Sequence, residues 1–289
     1  MKKLIERLLI FFIGIPAIFA LVYFLTFKYN LALNLVAVFF SAMGAVEFSL
    51  MLRKKQIIIS KVESFILGAL APLATTLYIS FGMPGWAVPA IIMLGASWAL
   101  MSRVFSRSKE IETVTNQIIG GFSVLIYPGF FMSWIVLMSG WKNPAVILLF
   151  LFISFGNDSL AWLFGTLFGK NNKGVIAVSP NKSVAGFIGG ILGSILIAIG
   201  AAIVFPQIFP FCDECAPTFY LFLFTSIIAF CTGIAAMLGD LAESAIKRSC
   251  DFVDSGNFIL GRGGVLDSID SIAFAAPVFF ILFSVLFNC

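Results

Sequence analysis

Long apolar runs separated by short polar loops set the pattern of this chain. Nine runs come near the roughly 20 residues that a helix needs to cross a bilayer core: 8–27, 31–52, 64–80, 84–102, 118–138, 144–168, 184–205, 219–238 and 269–287. The third is the shortest. The pattern predicts an all-α, polytopic transmembrane protein with one helix per run. No polar stretch between the runs is long enough for a soluble domain, so 1–289 reads as one integral membrane domain. Within it, 1–150 supplies hydrophobic spans and 151–289 holds most of the candidate chemistry. The first run follows Met1-Lys2-Lys3, as in a signal peptide, but it continues to about Phe27 without a small-residue cleavage site. It reads as the first span.

Composition agrees with this pattern. Hydrophobic residues make up 61% of the chain and charged residues 11%, whereas a soluble domain carries about 25% charged residues. Mean hydropathy is +1.08, so lipid is the main solvent. The basic residues orient the spans. With nine spans, one side of the membrane receives every Lys and Arg except Lys28 and Lys142. Cytoplasmic loops are enriched in these residues, which predicts a cytoplasmic N-terminus and an external C-terminus. The expected location is the inner (cytoplasmic) membrane, multi-pass, with the chemistry on the cytoplasmic side. The net charge of +4 is scattered through short loops, so no nucleic-acid partner is expected. There is no histidine, which excludes a His general base, a Ser-His-Asp triad and His-ligated zinc. Cys212 and Cys215 form a Cys-Asp-Glu-Cys group on the predicted outer side, where a disulfide is permitted. A free or merely structural pair is the expectation.

Carboxylates are scarce, 14 in all, so their positions carry information. Asp158 lies well inside the sixth run, where an ionisable group costs roughly 2.5–3.5 kcal/mol and marks a functional candidate. The plainer alternative is a partner for a nearby Lys at a wet interface. Asp240 ends the eighth run, and Asp267 and Asp270 begin the ninth. Glu243, Asp251 and Asp254 lie between them in the longest inner loop, 239–267. A second inner loop occupies 169–183. Asp267 and Asp270 are three apart and share a helix face. Helix capping and metal binding both account for that pair. Carboxylates without His or Cys suit a hard cation such as Mg²⁺, and Lys182, Lys247, Arg248 and Arg262 could neutralise phosphates. Gly261, Gly263 and Gly264 surround Arg262, an arrangement whose N–H groups can approach an anion. Gly189, Gly190 and Gly193 suit close helix packing. Glu47, about a turn from Arg53, reads as a partner of the basic loop and stays outside the candidate site.

These residues together resemble the phosphatidate cytidylyltransferase family (CDP-diacylglycerol synthases). The family signature runs Ser-x-x-Lys-Arg, four residues, Lys-Asp, a Pro-Gly-His-Gly-Gly turn, then Asp-Arg-x-Asp. Here it reads Ser244-Ala-Ile-Lys247-Arg248, four residues, Val253-Asp254, Leu260-Gly261-Arg262-Gly263-Gly264, then Asp267-Ser268-Ile269-Asp270. Upstream, Gly239-Asp240-Leu-Ala-Glu243-Ser244 matches the family's Gly-Asp-x-x-Glu-Ser. Asn157-Asp158, Phe168-Gly169-Lys170 and Ser179-Pro180-Asn181-Lys182-Ser183 resemble its Asp-x-x-Ala-Tyr, Phe-Gly-Lys and Ser-Pro-Lys-Lys-Thr segments. The similarity covers about 157–271. Four positions depart from the pattern: Val253 replaces a Lys, Leu260 a Pro, Arg262 a His and Ser268 an Arg. The carboxylates are all kept.

The resemblance implies transfer of a cytidylyl group from CTP to phosphatidate, giving CDP-diacylglycerol and pyrophosphate for phospholipid biosynthesis. The lipid phosphate would attack the α-phosphorus itself, so no protein nucleophile is required, and positioning with charge neutralisation would do the catalysis. It implies Asp240 and Asp267 as holders of Mg²⁺, a second cation being left open, with Asp158 and Asp270 completing the metal site. Lys247 and Arg248 join the catalytic set. Lys182, Ser244, Arg262, Gly263 and Gly264 would bind substrate. The expected partners are CTP, an anionic lipid such as phosphatidate and the membrane itself, and a homodimer is left open. The alternatives are a CTP-dependent prenol or lipid kinase, another CDP-lipid synthase, or an inactive membrane scaffold or transporter.

Overall fold

In lipid a backbone N–H or C=O finds no water, so an apolar run satisfies its polar groups within a helix. The computed structural model describes residues 13–104, 113–210, 218–259, 261 and 263–287, and among them the runs are helical. In chain order the helices are α1 Ile15–Tyr23, α2 Phe27–Leu52, α3 Lys61–Phe81, α4 Ala87–Met101, α5 Val114–Val124, α6 Phe131–Met138, α7 Ala145–Phe168, α8 Val184–Val204, α9 Thr218–Ser249 and α10 Leu266–Phe287. A π-helical turn, Leu125–Phe130, joins α5 to α6. Among the described residues, extended pairing is limited to the single bridges Lys173–Ser183 and Ile259–Gly263. The chain is an all-α polytopic membrane protein.

Among the described residues seven helical stretches are long and apolar enough to cross a membrane. The run predicted as shortest, 64–80, becomes the 21-residue α3, started by Ser60, whose side chain accepts from Glu63 N. By contrast α4 has 15 residues, fewer than a bilayer core requires. The first predicted span lies partly outside the described residues.

The largest departure from the hydropathy reading is α9. The apolar run ends at 238, yet the helix continues to Ser249. Asp240, Glu243, Ser244, Lys247 and Arg248 therefore lie on a helix, not in the expected loop 239–267. A hydropathy average drops as soon as charges enter it. The helical period survives: Ala236, Glu243 and Lys247 are all buried, as expected of one stripe along a 3.6-residue repeat.

Residues form two compact units, Met1–Gly140 with Ile246–Ile269, and Trp141–Ala245 with Asp270–Cys289. In the first, α2 and α3 pack closely at Gly68, where any Cβ would stand 2.9 Å from Ser41 O. The Ser41 hydroxyl lies 2.7 Å from Gly68 O and 2.6 Å from Pro128 O, and its proton serves one carbonyl at a time. Pro128 sits in the π-helical turn, where proline removes a donor and disturbs the helical ladder.

In the second unit α7 and α8 meet through the expected glycines. A Cβ at Gly190 would stand 3.0 Å from Asn157 O, one at Gly193 2.9 Å from Leu160 Cβ, and Gly189 faces the Phe164 ring. Asn157 Nδ2 donates to Ser194 Oγ at 3.0 Å, joining the two helices where both side chains are buried. Toward the C-terminus, Trp141 stacks on Phe280 with centroids 4.8 Å apart, and Phe279 packs on Phe150 and Phe283. Gly186 tests this packing against backbone, which cannot swing aside as a side chain can: a Cβ there would lie 2.8 Å from the backbone oxygen of Ala161. Overpacking of this kind costs about 1–3 kcal/mol. Gly186→Val is expected to lower the thermal unfolding midpoint in detergent by several degrees. An unchanged midpoint would show that α7 and α8 have room to separate.

Candidate functional site

The second unit brings three of the candidate residues, Asp158, Lys182 and Asp240, to one cavity of about 410 Å³. Its polar lining includes Asn157 and Asp158 of α7, Lys173, Asn181 and Lys182 of the following loop, and Asp240 of α9. Trp162, Phe187 and Met237 give it apolar walls. Local chemistry places Lys182. Ser179-Pro180-Asn181-Lys182 closes a turn through Lys182 N donating to Ser179 O at 3.1 Å, with proline at the second position where its fixed φ is favoured. Ser183 then caps α8, its side chain accepting from Gly186 N at 3.1 Å. The Lys182 ammonium meets Asp240 Oδ2 at 2.5 Å, with the two side chains 26% and 33% exposed. Ser244 Oγ stands one turn along α9 and donates to Asp240 Oδ1 at 3.4 Å. Asp158 Oδ2 accepts from Ser271 Oγ at 3.2 Å. Asp270 is buried and accepts from the next amide, Ser271 N, at 2.7 Å.

The first unit holds a second lysine–carboxylate pair. Lys247 Nζ meets Asp267 Oδ1 at 2.5 Å, and both side chains are nearly buried, at 11% and 6%. The other oxygen, Oδ2, accepts from Gly264 N at 2.7 Å and Ser255 N at 2.8 Å. The Ser255 hydroxyl lies 3.0 Å from that same oxygen. A left-handed turn makes this possible. Gly263 has φ 106°, a conformation that side chains rarely adopt. Ile259 and Gly263 exchange backbone hydrogen bonds at 2.8 and 3.1 Å. The amides of Gly263 and Gly264 are thus engaged inside the protein, the second on a carboxylate. Arg248 Nη1 donates to Phe252 O at 2.9 Å and stays exposed. Of the four departures from the family pattern, Val253 is exposed, Ser268 is buried with its hydroxyl donating to Gly264 O at 3.4 Å, and Leu260 and Arg262 lie outside the described residues, as do Cys212 and Cys215.

Two residues belong here that the sequence reading passed over. Ser255 contributes two of the groups around Asp267. Glu47, on α2, is 7% exposed and accepts from Val265 N at 3.0 Å, Leu266 N at 2.9 Å and Ser255 Oγ at 3.0 Å. Among the described residues no ion pair joins it to Arg53. The signal for Glu47 was present: it is an ionisable side chain inside a span, the same argument that singled out Asp158.

Within each unit, among the described residues, no three His, Cys, Asp or Glu side chains converge as a group able to hold a metal ion.

A phosphatidate cytidylyltransferase of Bacillus subtilis is 38% identical over 130 residues, covering 45% of this chain and 44% of that protein. A phosphatidate cytidylyltransferase of Thermotoga maritima is 33% identical over 171 residues, covering 58% and 60%. One of Staphylococcus haemolyticus is 37% identical over 125 residues, covering 43% and 44%. The chain therefore spans about half the length of the curated relatives it matches. The model of the cytidylyltransferase family is more extensive, matching residues 5–286, and on that match the chain belongs to the cytidylyltransferase family.

Proposed function

We propose that this protein transfers the cytidylyl group of CTP to phosphatidate, forming CDP-diacylglycerol and pyrophosphate at the cytoplasmic face of the inner membrane. One observation carries the reading: a cavity that combines the Lys182–Asp240 pair and Asp158 with the apolar walls of Trp162, Phe187 and Met237. A lipid phosphate needs both surfaces. An oxygen of that phosphate attacks the α-phosphorus of CTP, the α–β anhydride bond breaks, and pyrophosphate leaves with the electron pair. The attacking oxygen is already anionic, so the chain's lack of histidine is no obstacle.

The residues supply charge and position. Lys182 neutralises phosphate oxygens at the cavity, and Asp240 and Ser244 hold the lysine in place. Lys247 and Asp267 form the second such pair. Mg²⁺ fits this oxygen-only donor set, because it is commonly held by one or two carboxylates plus substrate phosphates. Asp158 and Asp240 would hold it at the cavity, and Asp267 would hold a second cation. When bound, the cation neutralises phosphate charge. The cytoplasmic placement rests on the distribution of Lys and Arg between loops.

The test is an acceptor panel. Purified protein with CTP and Mg²⁺ is offered phosphatidate, diacylglycerol, a polyprenol and a polyprenyl phosphate, and lipid products are identified by mass spectrometry. CDP-diacylglycerol from phosphatidate alone is expected. A phosphorylated polyprenol or diacylglycerol would instead make the protein a CTP-dependent lipid kinase.

A further inference from the structure

Residues 250–259, 261 and 263–265 are non-helical, yet they pack against the long apolar helix α2. The Phe258 ring is 6.1 Å from that of Phe39, and α10 begins against Gly44, where a Cβ would stand 3.1 Å from Ile269 Cδ1 and 3.5 Å from Leu266 Cδ1. Val265 and Leu266 are fully buried, and buried backbone must find its partners within the protein. The N–H groups around the start of a helix also lack partners inside it. Glu47 answers both needs: Val265 N and Leu266 N donate to its two carboxylate oxygens. The shape of the loop is fitted to that carboxylate. A Cβ at Gly256 would lie 2.5 Å from Glu47 Oε1, and Gly264 leaves still less room beside Oε2.

The contact does not end at the helix start. The Ser255 hydroxyl stands 3.0 Å from Glu47 Oε2 and 3.0 Å from Asp267 Oδ2, and it accepts from Asp267 N at 3.3 Å. Its proton bonds one carboxylate at a time, so the oxygen sits between the two and fixes their separation. We propose that Glu47 is a positioning residue that sets the Asp267 carboxylate through Ser255 and the first turn of α10. A span from the hydrophobic N-terminal half thereby takes part in the activity. The proposal rests on the role given to Asp267 above.

The experiment uses the full-length protein in detergent or nanodiscs, with kcat and KM measured for CTP and phosphatidate and normalised to folded protein. Glu47→Gln keeps the volume but turns an NH₂ toward groups that donate. It is expected to lower kcat about 10- to 100-fold, the scale for residues that orient a ligating side chain, with both KM values within about threefold. Ser255→Ala is expected to act in the same direction. The double variant should be little worse than Glu47→Gln alone, because both changes break one path. A cap with a purely structural role would lower the unfolding temperature, leave kcat per folded molecule unchanged and give independent effects. That result overturns the proposal. If Glu47→Gln does not fold, Ser255→Ala decides alone, and a wild-type kcat there is the overturning result. Failure of the underlying reading is separate: it shows in the unaltered protein as no CTP-dependent lipid product.

Discussion

Asp267→Asn is expected to reduce CDP-lipid formation by at least about a hundredfold, the scale on which one charged or donor group of a preorganised site acts. The geometry gives the reason. Asp267 Oδ2 is surrounded by Gly264 N, Ser255 N and the Ser255 hydroxyl, so an asparagine is driven to place its carbonyl there. Its NH₂ then faces the Lys247 ammonium, donor against cation. The ion pair, nearly buried on both sides, is lost. Breaking one side of such a pair costs about 3–5 kcal/mol, so stability must be measured beside activity. Activity per folded molecule is the deciding quantity. Turnover within a fewfold of wild type in folded Asp267→Asn would remove Asp267 from the chemistry and leave it a structural clamp on Ser255 and Gly264.

Lys182→Glu is expected to be as severe, for a different reason. The substitution sets a carboxylate against Asp240 where the lysine now forms an ion pair. At about 4 Å and an effective dielectric near 20, like charges repel by about 4 kcal/mol. Because the pair is about a third exposed, water and salt will reduce that figure. Loss of lipid product is expected even so, because the charge that would meet a phosphate has changed sign. The exchange Lys182→Glu with Asp240→Lys separates the two effects. It should restore the unfolding temperature, since the pair is re-formed, and should not restore turnover. Recovery of turnover with stability would mean that the pair serves only to hold α9 to the 169–183 loop.

The parts of this protein that are legible in its sequence are those set by local rules. Spans follow from the lipid's demand that each run satisfy its own backbone, and 144–168 and 184–205 agree with α7 and α8 to within a residue. The glycines at 189, 190 and 193 meet α7 as their spacing suggested. Asp158, Lys182 and Asp240 stand out because charge is expensive in an apolar chain, and they line one cavity. The failures have equally physical causes. Hydropathy ended α9 early because it averages polarity and ignores period. Glu47 was assigned to its neighbour Arg53 because sequence spacing shows only nearby partners. Its actual partners are 208 to 219 residues away, a distance no periodicity encodes. Gly263 and Gly264 were read as a cradle for a substrate anion. The anion that the Gly264 amide meets is the protein's own Asp267, three residues along the chain and part of the same turn.

Transfer of the α-phosphorus of CTP to a phosphorylated lipid is the reaction on which every residue role above depends. The most direct measurement incubates purified protein with phosphatidate, Mg²⁺ and CTP carrying distinguishable labels at the α- and γ-phosphorus. The α-label is expected in CDP-diacylglycerol and the γ-label in pyrophosphate, in equal amounts, with both lost in Asp267→Asn. A γ-label found in the lipid, with the α-label left in CDP, would contradict that transfer.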